Sequence, residues 1–347
     1  MSSATASSPK PIVNSVYVLV SQEVSSARKQ ILSVIEQNLP KLAVSGKVER
    51  VDGFEPAAVR TLIGEVQGLV DVDPKNLPEE NLRPLVRPLH LRHVSNGLKH
   101  QEALKRIAST SSGTERFSLI LEDDVLFGEG MALALAKAAA TAPQDAEVVF
   151  LGLPSTRQEP PKSGEMAFDD PMEIFKNHVL PSCDSYLITA AGAAKLAEGF
   201  APLRFSAAGQ LTYLLRKGIV KSYLSVPNAF VDGSKVGVVT SSLETNNQLL
   251  WNNAFCQMDA IVRRTPGEYT EEAKSKFKAQ WETNPFKENP DALVLLADHQ
   301  VREGNVKEAQ ETYAKAMAAY EKDGCIVNQG SEWIRKYMGT FSLAPAP

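Results

Sequence analysis

The residues best suited to chemistry stand together at one point of the chain. Phe117-Ser118-Leu119-Ile120-Leu121 is a short apolar run, and it ends in Glu122-Asp123-Asp124-Val125. A β-prone run that is apolar on both faces reads as a buried central strand. Three adjacent carboxylates at its end repel one another unless positive charge sits among them. A hard divalent cation, Mg²⁺ or Mn²⁺, supplies that charge economically, because such ions take carboxylate oxygens and often share them with phosphates. Side chains alternate along an extended backbone, so Glu122 and Asp124 are expected to face one way as metal ligands. Asp123 then faces the other way and orients backbone or substrate hydroxyls. The competing reading is an acidic loop that caps a helix expected over 130–140.

Two further stretches carry chemistry-bearing residues. His100 lies on a helix expected over 96–109, where a single histidine is ordinarily a packed or surface residue. Asp232-Gly233-Ser234, followed by Gly237 and Thr240-Ser241-Ser242, is a polar, glycine-bearing segment that could bring backbone N–H groups to an anion. An ordinary loop is the better reading of the segment, because Asp-Gly is a frequent turn pair.

The elements that must position these groups alternate strand and helix. Val16–Val20 reads as a buried strand. Residues 25–38 form an amphipathic helix with Ala27, Ile31, Val34 and Ile35 on one face, and 48–51 a second strand closed by Asp52-Gly53. That order and spacing predict a right-handed parallel βαβ unit. Further strands are expected at 147–153, 185–189 and 221–226, with helices at 190–198 and 210–217. Residues 54–92 contain Pro56, Pro74, Pro78, Pro84 and Pro88 and predict loops with short helices. Residues 154–178 lack periodicity and read as a long loop, either an acceptor lid or an insertion.

The remainder is helical. Helices are expected over 270–283, 291–322 and 331–338. Leu296-Ala297, Gly304, Ala309, Tyr313 and Ala316 stand at the offsets of one tetratricopeptide-like hairpin, with Gln300 in place of the usual aromatic residue. One repeat cannot bury its own apolar stripe of Leu293, Leu296, Ala309, Tyr313 and Ala316, so it is expected to dock on the main domain or on a second copy or partner. The domain reading is a disordered segment at 1–11, an α/β domain over 12–250, a helical region over 251–341 and a tail over 342–347.

Composition bounds the function. The 347 residues are 43% hydrophobic and 22% charged, with a net charge of −4 and no basic stripe, which speaks against a nucleic-acid partner. Cys183, Cys256 and Cys325 lie far apart, without zinc spacing or a disulfide framework, as expected in a reducing compartment. No apolar run reaches membrane-spanning length, and the first ten residues lack a secretory apolar core. The expected location is cytoplasmic.

Taken in order, several motifs resemble family 25 glycosyltransferases, which include lipopolysaccharide and collagen galactosyltransferases. They are Val51-Asp52-Gly53, Gly97-Leu98-Lys99-His100-Gln101-Glu102-Ala103-Leu104, Leu119 through Val125, Phe150-Leu151-Gly152, Tyr186 through Leu196, and Gly233-Ser234 with Ser241-Ser242. The chain departs from the family pattern at Ser21-Gln22, at Lys99, at Ala207-Ala208-Gly209 and at Asp232. The resemblance implies an A-type glycosyltransferase fold, a Rossmann-like mixed sheet flanked by helices. It also implies an inverting, metal-dependent transfer of a hexose such as galactose from a nucleotide sugar, a UDP-hexose, to a glycan or protein hydroxyl. In that reading Glu122, Asp124 and Asp232 hold Mn²⁺ or Mg²⁺. Asp52, Gly53, His100, Asp123, Gly152, Ser241 and Ser242 contact the donor, and Asp184 is the catalytic base. The alternative is a catalytically inactive relative serving as an interaction module. A metal-dependent phosphohydrolase would also use strand-end acids, but no histidine cluster flanks the triplet in sequence.

Overall fold

The structure is a computed structural model that describes residues 13–22, 25–42, 47–72, 89–110, 116–128, 130–152, 172–173, 180, 182–225, 228–234, 238–239, 253–264, 269–322 and 324–326. The chain divides into two compact units, Met1–Val70 with Val94–Thr240, and Asp71–His93 with Ser241–Pro347. In chain order the strands are β1 (Val16–Leu19), β2 (Val48–Val51), β3 (Leu89–His90), β4 (Ser118–Glu122), β5 (Val125–Leu126), β6 (Val148–Phe150), β7 (Met172–Glu173), β8 (Ser185–Ile188), β9 (Ser222–Leu224), β10 (Val231–Asp232) and β11 (Cys325–Ile326). The helices up to Arg216 are α1 (Ser26–Asn38), α2 (Pro56–Glu65), α3 (Leu91–Ser109), α4 (Met131–Thr141), α5 (Ala190–Gly199) and α6 (Ala207–Arg216).

The first unit is a mixed sheet flanked by helices. Seven strands lie in the order β2-β1-β4-β8-β6-β9-β7. β1 pairs parallel with β2 and with β4, as the strand-helix-strand spacing predicts. β8 is antiparallel to both β4 and β6, and β6 is parallel to β9. β1, β4, β6 and β8 are short, apolar and buried on both faces, which is why they occupy the middle. On one face Leu119, Leu121, Val149 and Leu187 join Leu32 and Ile35 of α1 and Leu135 of α4 in a single core. On the other face Tyr186 of β8 meets His100 of α3. β7, at the sheet edge, is the described part of the expected loop over 154–178.

Side-chain caps set several helix starts. Ser25 accepts from the Arg28 N–H at the start of α1, and Thr189 from the Gly192 N–H at the start of α5. Ser206 caps α6, which therefore begins at Ala207, three residues before the expected start. The buried stripe of α1 differs from the expected one. Arg28, Leu32 and Ile35 are inside, and Val34 is exposed. The spacing 28, 32, 35 is helical, but an arginine in an apolar stripe reads as solvent-facing in a hydropathy pattern. α3 also starts earlier than expected, at Leu91. Among the described residues, no helix is long and apolar enough to cross a membrane.

In the second unit β3 pairs antiparallel with β11. Its helices are Asn253–Asp259, continued by a wider turn over 260–264, then Glu271–Thr283, Pro290–Arg302 and Val306–Lys322. Gly304, at φ +86°, makes the turn between the last two, a conformation only glycine takes readily. The expected helix over 331–338 lies outside the described residues, as do 1–11 and 342–347. Ala292 and Leu295, with Leu296 partly buried beside them, pack with Phe255, Met258, Val262 and Phe277, and Ala309, Tyr313 and Ala316 of the expected stripe are buried.

His299 is buried in this unit. Its Nδ1 lies 2.7 Å from the Tyr269 hydroxyl, its Nε2 lies 3.3 Å from Glu303, and its ring stacks on Phe277 with centroids 4.1 Å apart. Burial pushes the imidazole down to about 4, against the pull of Glu303. Its folded value lies below its unfolded value, so between about pH 6.5 and pH 4 the unfolded chain binds the extra proton and stability falls as pH falls. Trp281 fluorescence during urea unfolding should therefore show the second unit losing stability across that window. His299→Gln should flatten that dependence, and an unchanged slope would refute this assignment.

Candidate active site

β1, β2, β4, β6 and β9 run in one direction and β8 runs against them. The C-terminal ends of the five and the start of β8 therefore share one edge of the sheet, where open α/β sheets hold ligands. Along that edge stand Ser21-Gln22 after β1, Asp52-Gly53 after β2, Glu122-Asp123-Asp124 at the end of β4, Gly152 after β6, and Cys183-Asp184 ahead of β8. The Glu122 N–H donates to the Asp184 carbonyl at 2.8 Å, so the triplet and the start of β8 are fixed side by side.

Arg28 divides the triplet. Its guanidinium pairs with Asp123 through Nη1 and with Asp124 through Nη2, and all three side chains are buried. Strand alternation holds only as far as Glu122. Asp123 and Asp124 form a turn, so both face Arg28, contrary to the expectation that Glu122 and Asp124 would share a side. The Asp123 carboxylate also accepts from the Ser21 N–H at 3.0 Å. One guanidinium faces two carboxylates, which leaves the cluster short of positive charge. Burial holds both aspartates above the usual carboxylate range despite Arg28, with Asp232 and Glu122 adding repulsion at Asp124. Asp124 Oδ1 is buried and has no hydrogen-bond partner among the described residues. A buried acceptor without a partner carries a desolvation cost of about 1–3 kcal/mol, more for a charged group.

Glu122 turns the other way. Its Oε1 lies 3.1 Å from His100 Nε2 and accepts from Asn96 Nδ2 at 3.1 Å. Cys183 Sγ lies 3.5 Å from the same imidazole nitrogen and 3.8 Å from the same oxygen. His100 is fully buried, with Nδ1 3.0 Å from the Tyr186 hydroxyl and its ring stacked on that tyrosine. Burial would raise Glu122, but the hydrogen bond and charge of His100, with Asn96 and Arg28, hold it below the usual carboxylate range. Burial pushes the Cys183 thiol and the Tyr186 phenol well up. No histidine flanks the triplet in sequence, but α3 brings one to it in space.

Asp184, the expected base, is fully buried. Ser182 donates to its Oδ1 at 2.6 Å and Ser185 to its Oδ2 at 3.3 Å. Burial, and then the negative charge of Asp232, raise it well above the usual range. Both of its oxygens accept from neighbouring serine hydroxyls at the start of β8. Gly152 is there because a Cβ would stand 2.6 Å from Asp184 Oδ2 and 2.7 Å from Ser185 Oγ. Asp232 is nearby. β10 pairs with β5, placing Asp232 opposite Val125, and the Gly233 N–H donates to the Asp124 carbonyl at 2.9 Å. Asp232 Oδ1 accepts from both the N–H and the hydroxyl of Ser234 at 2.7 Å, so this carboxylate caps its own turn.

A second network lies at the ends of β1 and β2. Gly53 and Phe54 take φ of +87° and +52°, turning the chain into α2. For Phe54 this is a strained conformation. Glu55 then sits at the N-cap of α2 but makes no cap hydrogen bond. Its carboxylate accepts instead from Ser21 Oγ at 3.2 Å, the Gln22 N–H at 3.1 Å and Lys99 Nζ at 3.2 Å. Burial would raise Glu55, yet these partners lower it. Asp52 is exposed, and Ser241 and Ser242 lie outside the described residues. The structure thus brings together Glu122, Asp123, Asp124, Gly152, Asp184, Asp232 and His100. It adds Arg28, Glu55, Cys183 and Tyr186, which the sequence reading did not single out for the site. Arg28 had a signal, its helical spacing from Leu32 and Ile35; Glu55, just after a glycine turn, had none.

No family model matches the chain and no curated protein matches it, so the family 25 resemblance rests on its motifs alone. Among solved structures the chain is similar to S. aureus TarS 1-349, at 13% identity and TM-score 0.32, with 90% of each chain covered. The complex of TarS 1-349 with UDP-GlcNAc gives the same values. A longer S. aureus TarS structure matches at 14% identity and TM-score 0.33, covering 90% of this chain and 55% of that one. Likeness at this level carries no argument about function.

The electrostatics of the triplet give a direct test. Arg28→Met leaves two buried carboxylates without their cation and should lower unfolding free energy by about 3–5 kcal/mol at neutral pH. Adding Asp123→Asn and Asp124→Asn should recover part of that loss. A single variant as stable as the parent in urea unfolding would show that Arg28 does not compensate these acids.

Proposed function

We propose that the chain is a nucleotide-sugar-dependent glycosyltransferase that moves a hexose from a UDP-hexose to a hydroxyl of a glycan or protein acceptor, with inversion. The observation that carries this reading is the carboxylate cluster at one sheet edge, with Asp124 Oδ1 buried and unpartnered beside the negative charges of Asp232 and Glu122. An orphaned, buried carboxylate oxygen among like charges fits a hard cation. Asp124 and Asp232, next to Glu122, would hold Mn²⁺ or Mg²⁺, which supplies charge neutralisation to a diphosphate leaving group. Inversion needs a single in-line displacement: the acceptor oxygen bonds to the anomeric carbon, the diphosphate leaves with the bonding electrons, and the acceptor proton passes to a base. Asp123, tied to Arg28 and Ser21, holds the strand end in register. Asp184 orients the start of β8. Asp52 and Gly53 contact the donor in this reading, and the hairpin at 290–322 is a tetratricopeptide-like segment of a cytoplasmic protein.

One observation favours the second reading, an inactive relative used as an interaction module. Arg28 already occupies one oxygen each of Asp123 and Asp124, as a structural brace would. Calorimetry with UDP- and GDP-sugars separates the two. Donor binding that needs Mn²⁺ or Mg²⁺ supports the transferase. Donor binding unchanged in excess chelator, or no binding of any nucleotide sugar, overturns it.

Asp232→Asn sharpens the test. The amide oxygen can still accept from Ser234, so the turn survives while the charge is lost. The Mn²⁺ concentration for half-maximal donor binding should rise about 10–100-fold, a usual penalty for altered metal-site partners. The melting temperature without metal should hardly move. An unchanged Mn²⁺ requirement would leave Asp232 with its turn alone.

A further inference from the structure

His100, Glu122 and Cys183 place three different donor atoms on one small triangle. Nε2, Oε1 and Sγ are separated by 3.1, 3.5 and 3.8 Å. Such a group can serve as a nucleophilic triad or as a ligand set, and the hydrogen bonding decides between them. A triad needs the thiol on one imidazole nitrogen and the carboxylate on the other. Here thiol and carboxylate both face Nε2, and Nδ1 is taken by the Tyr186 hydroxyl. Three donors converging on a common point, with the far ring nitrogen held by a hydrogen-bond partner, is the arrangement of a metal-binding histidine.

We infer that His100 Nε2, Glu122 Oε1 and Cys183 Sγ form a three-ligand site for a borderline-soft divalent ion of the zinc class, separate from the hard-cation position at Asp124. The spacing supports this. Zinc bonds of about 2.0–2.1 Å to nitrogen, 2.0–2.2 Å to oxygen and 2.3 Å to sulfur, set at tetrahedral angles, hold nitrogen and oxygen about 3.3 Å apart and sulfur about 3.5 Å from each. The triangle matches those edges before any ion enters. The ligand types select the metal, since thiolate and imidazole suit zinc and are poor partners for Mg²⁺ or Mn²⁺. Binding balances by release of the Cys183 thiol proton to solvent as the Zn–S bond forms. His100 is fully buried and Cys183 nearly so, while the Glu122 side chain is 15% exposed, so the ion enters past Glu122 and a fourth position opens on that side. The site commits Glu122 Oε1 to the inner ion.

The inference does not depend on the transferase reading, and its test contains no nucleotide sugar, so the two fail separately. The metal-free full-length protein is titrated with Co²⁺ as the optical probe, then with Zn²⁺. The expected result is one thiolate-bound Co²⁺ per chain, read from a thiolate-to-cobalt charge-transfer band that Zn²⁺ abolishes and excess Mg²⁺ does not. Cys183→Ser should lose the band, and Cys256→Ser and Cys325→Ser should keep it. His100→Gln should weaken binding at least tenfold. X-ray absorption on the unmutated zinc-loaded protein, which does not rely on any variant folding, should show one sulfur at about 2.3 Å. No charge-transfer band, a band surviving in Cys183→Ser, or a zinc shell without sulfur would each overturn the site.

Discussion

The first unit depends on how one guanidinium is shared by two buried carboxylates. Arg28, carried into the core on the apolar face of α1, pairs with Asp123 and Asp124 at the end of the central strand. A buried ion pair is weak evidence for stability, because desolvation offsets its Coulomb gain. Breaking one is costly, because it leaves a charge stranded. The pairing therefore acts chiefly as a specification. α1 has to pack with Arg28 inward, the turn at 123–124 has to present both acids to one side, and Ser21 has to reach Asp123 from the end of β1.

That specification gives the three acids different tasks. Asp123 is satisfied by Arg28 and Ser21. Glu122, the last residue still on strand geometry, points to the face where α3 offers His100 and Asn96. Asp124 spends one oxygen on Arg28 and keeps the other bare among like charges. A buried charge that is only half compensated is tolerated where something else supplies the rest, and such sites are where perturbed carboxylates and function coincide.

The sheet was legible because its strands are short apolar runs with clear punctuation. Val16–Leu19, Ser118–Glu122 and Ser185–Ile188 stand where the sequence put them, and β1 with β2 and α1 forms the expected parallel unit. The turn at 123–124 was not legible, since the alternation rule gives no warning of where a strand ends. β5 was missed for the same reason: its two residues are paired by β10, which lies far along the chain. Arg28, buried by a distant partner, defeats any reading that sorts residues by hydropathy. Cys183 gives no signal in sequence, because thiols far apart in the chain make no zinc spacing. Spacing rules see ligands carried on one loop, and here α3, β4 and the start of β8 each carry one.

Two of the places where the motifs differ from those of family 25 glycosyltransferases, Ser21-Gln22 and Lys99, are physically linked. Ser21, Gln22 and Lys99 come from two separate motifs, yet all three converge on Glu55, which receives the Ser21 hydroxyl, the Gln22 N–H and the Lys99 ammonium. Ser21 also links that network to Asp123 through its own N–H. Lys99 is nearly buried, and a buried ammonium requires a carboxylate partner. Its presence beside His100 therefore demands Glu55, and Glu55 in turn is presented by the left-handed pair Gly53 and Phe54 rather than capping α2. Changes that look like losses when motifs are compared one by one form a single connected hydrogen-bond system along the sheet edge. The same edge carries the carboxylates, so the network fixes the ends of β1 and β2 against the turn that holds Asp123 and Asp124. Altering Glu55 alone would leave Lys99 buried without its counterpart, which is why these positions have to be read together.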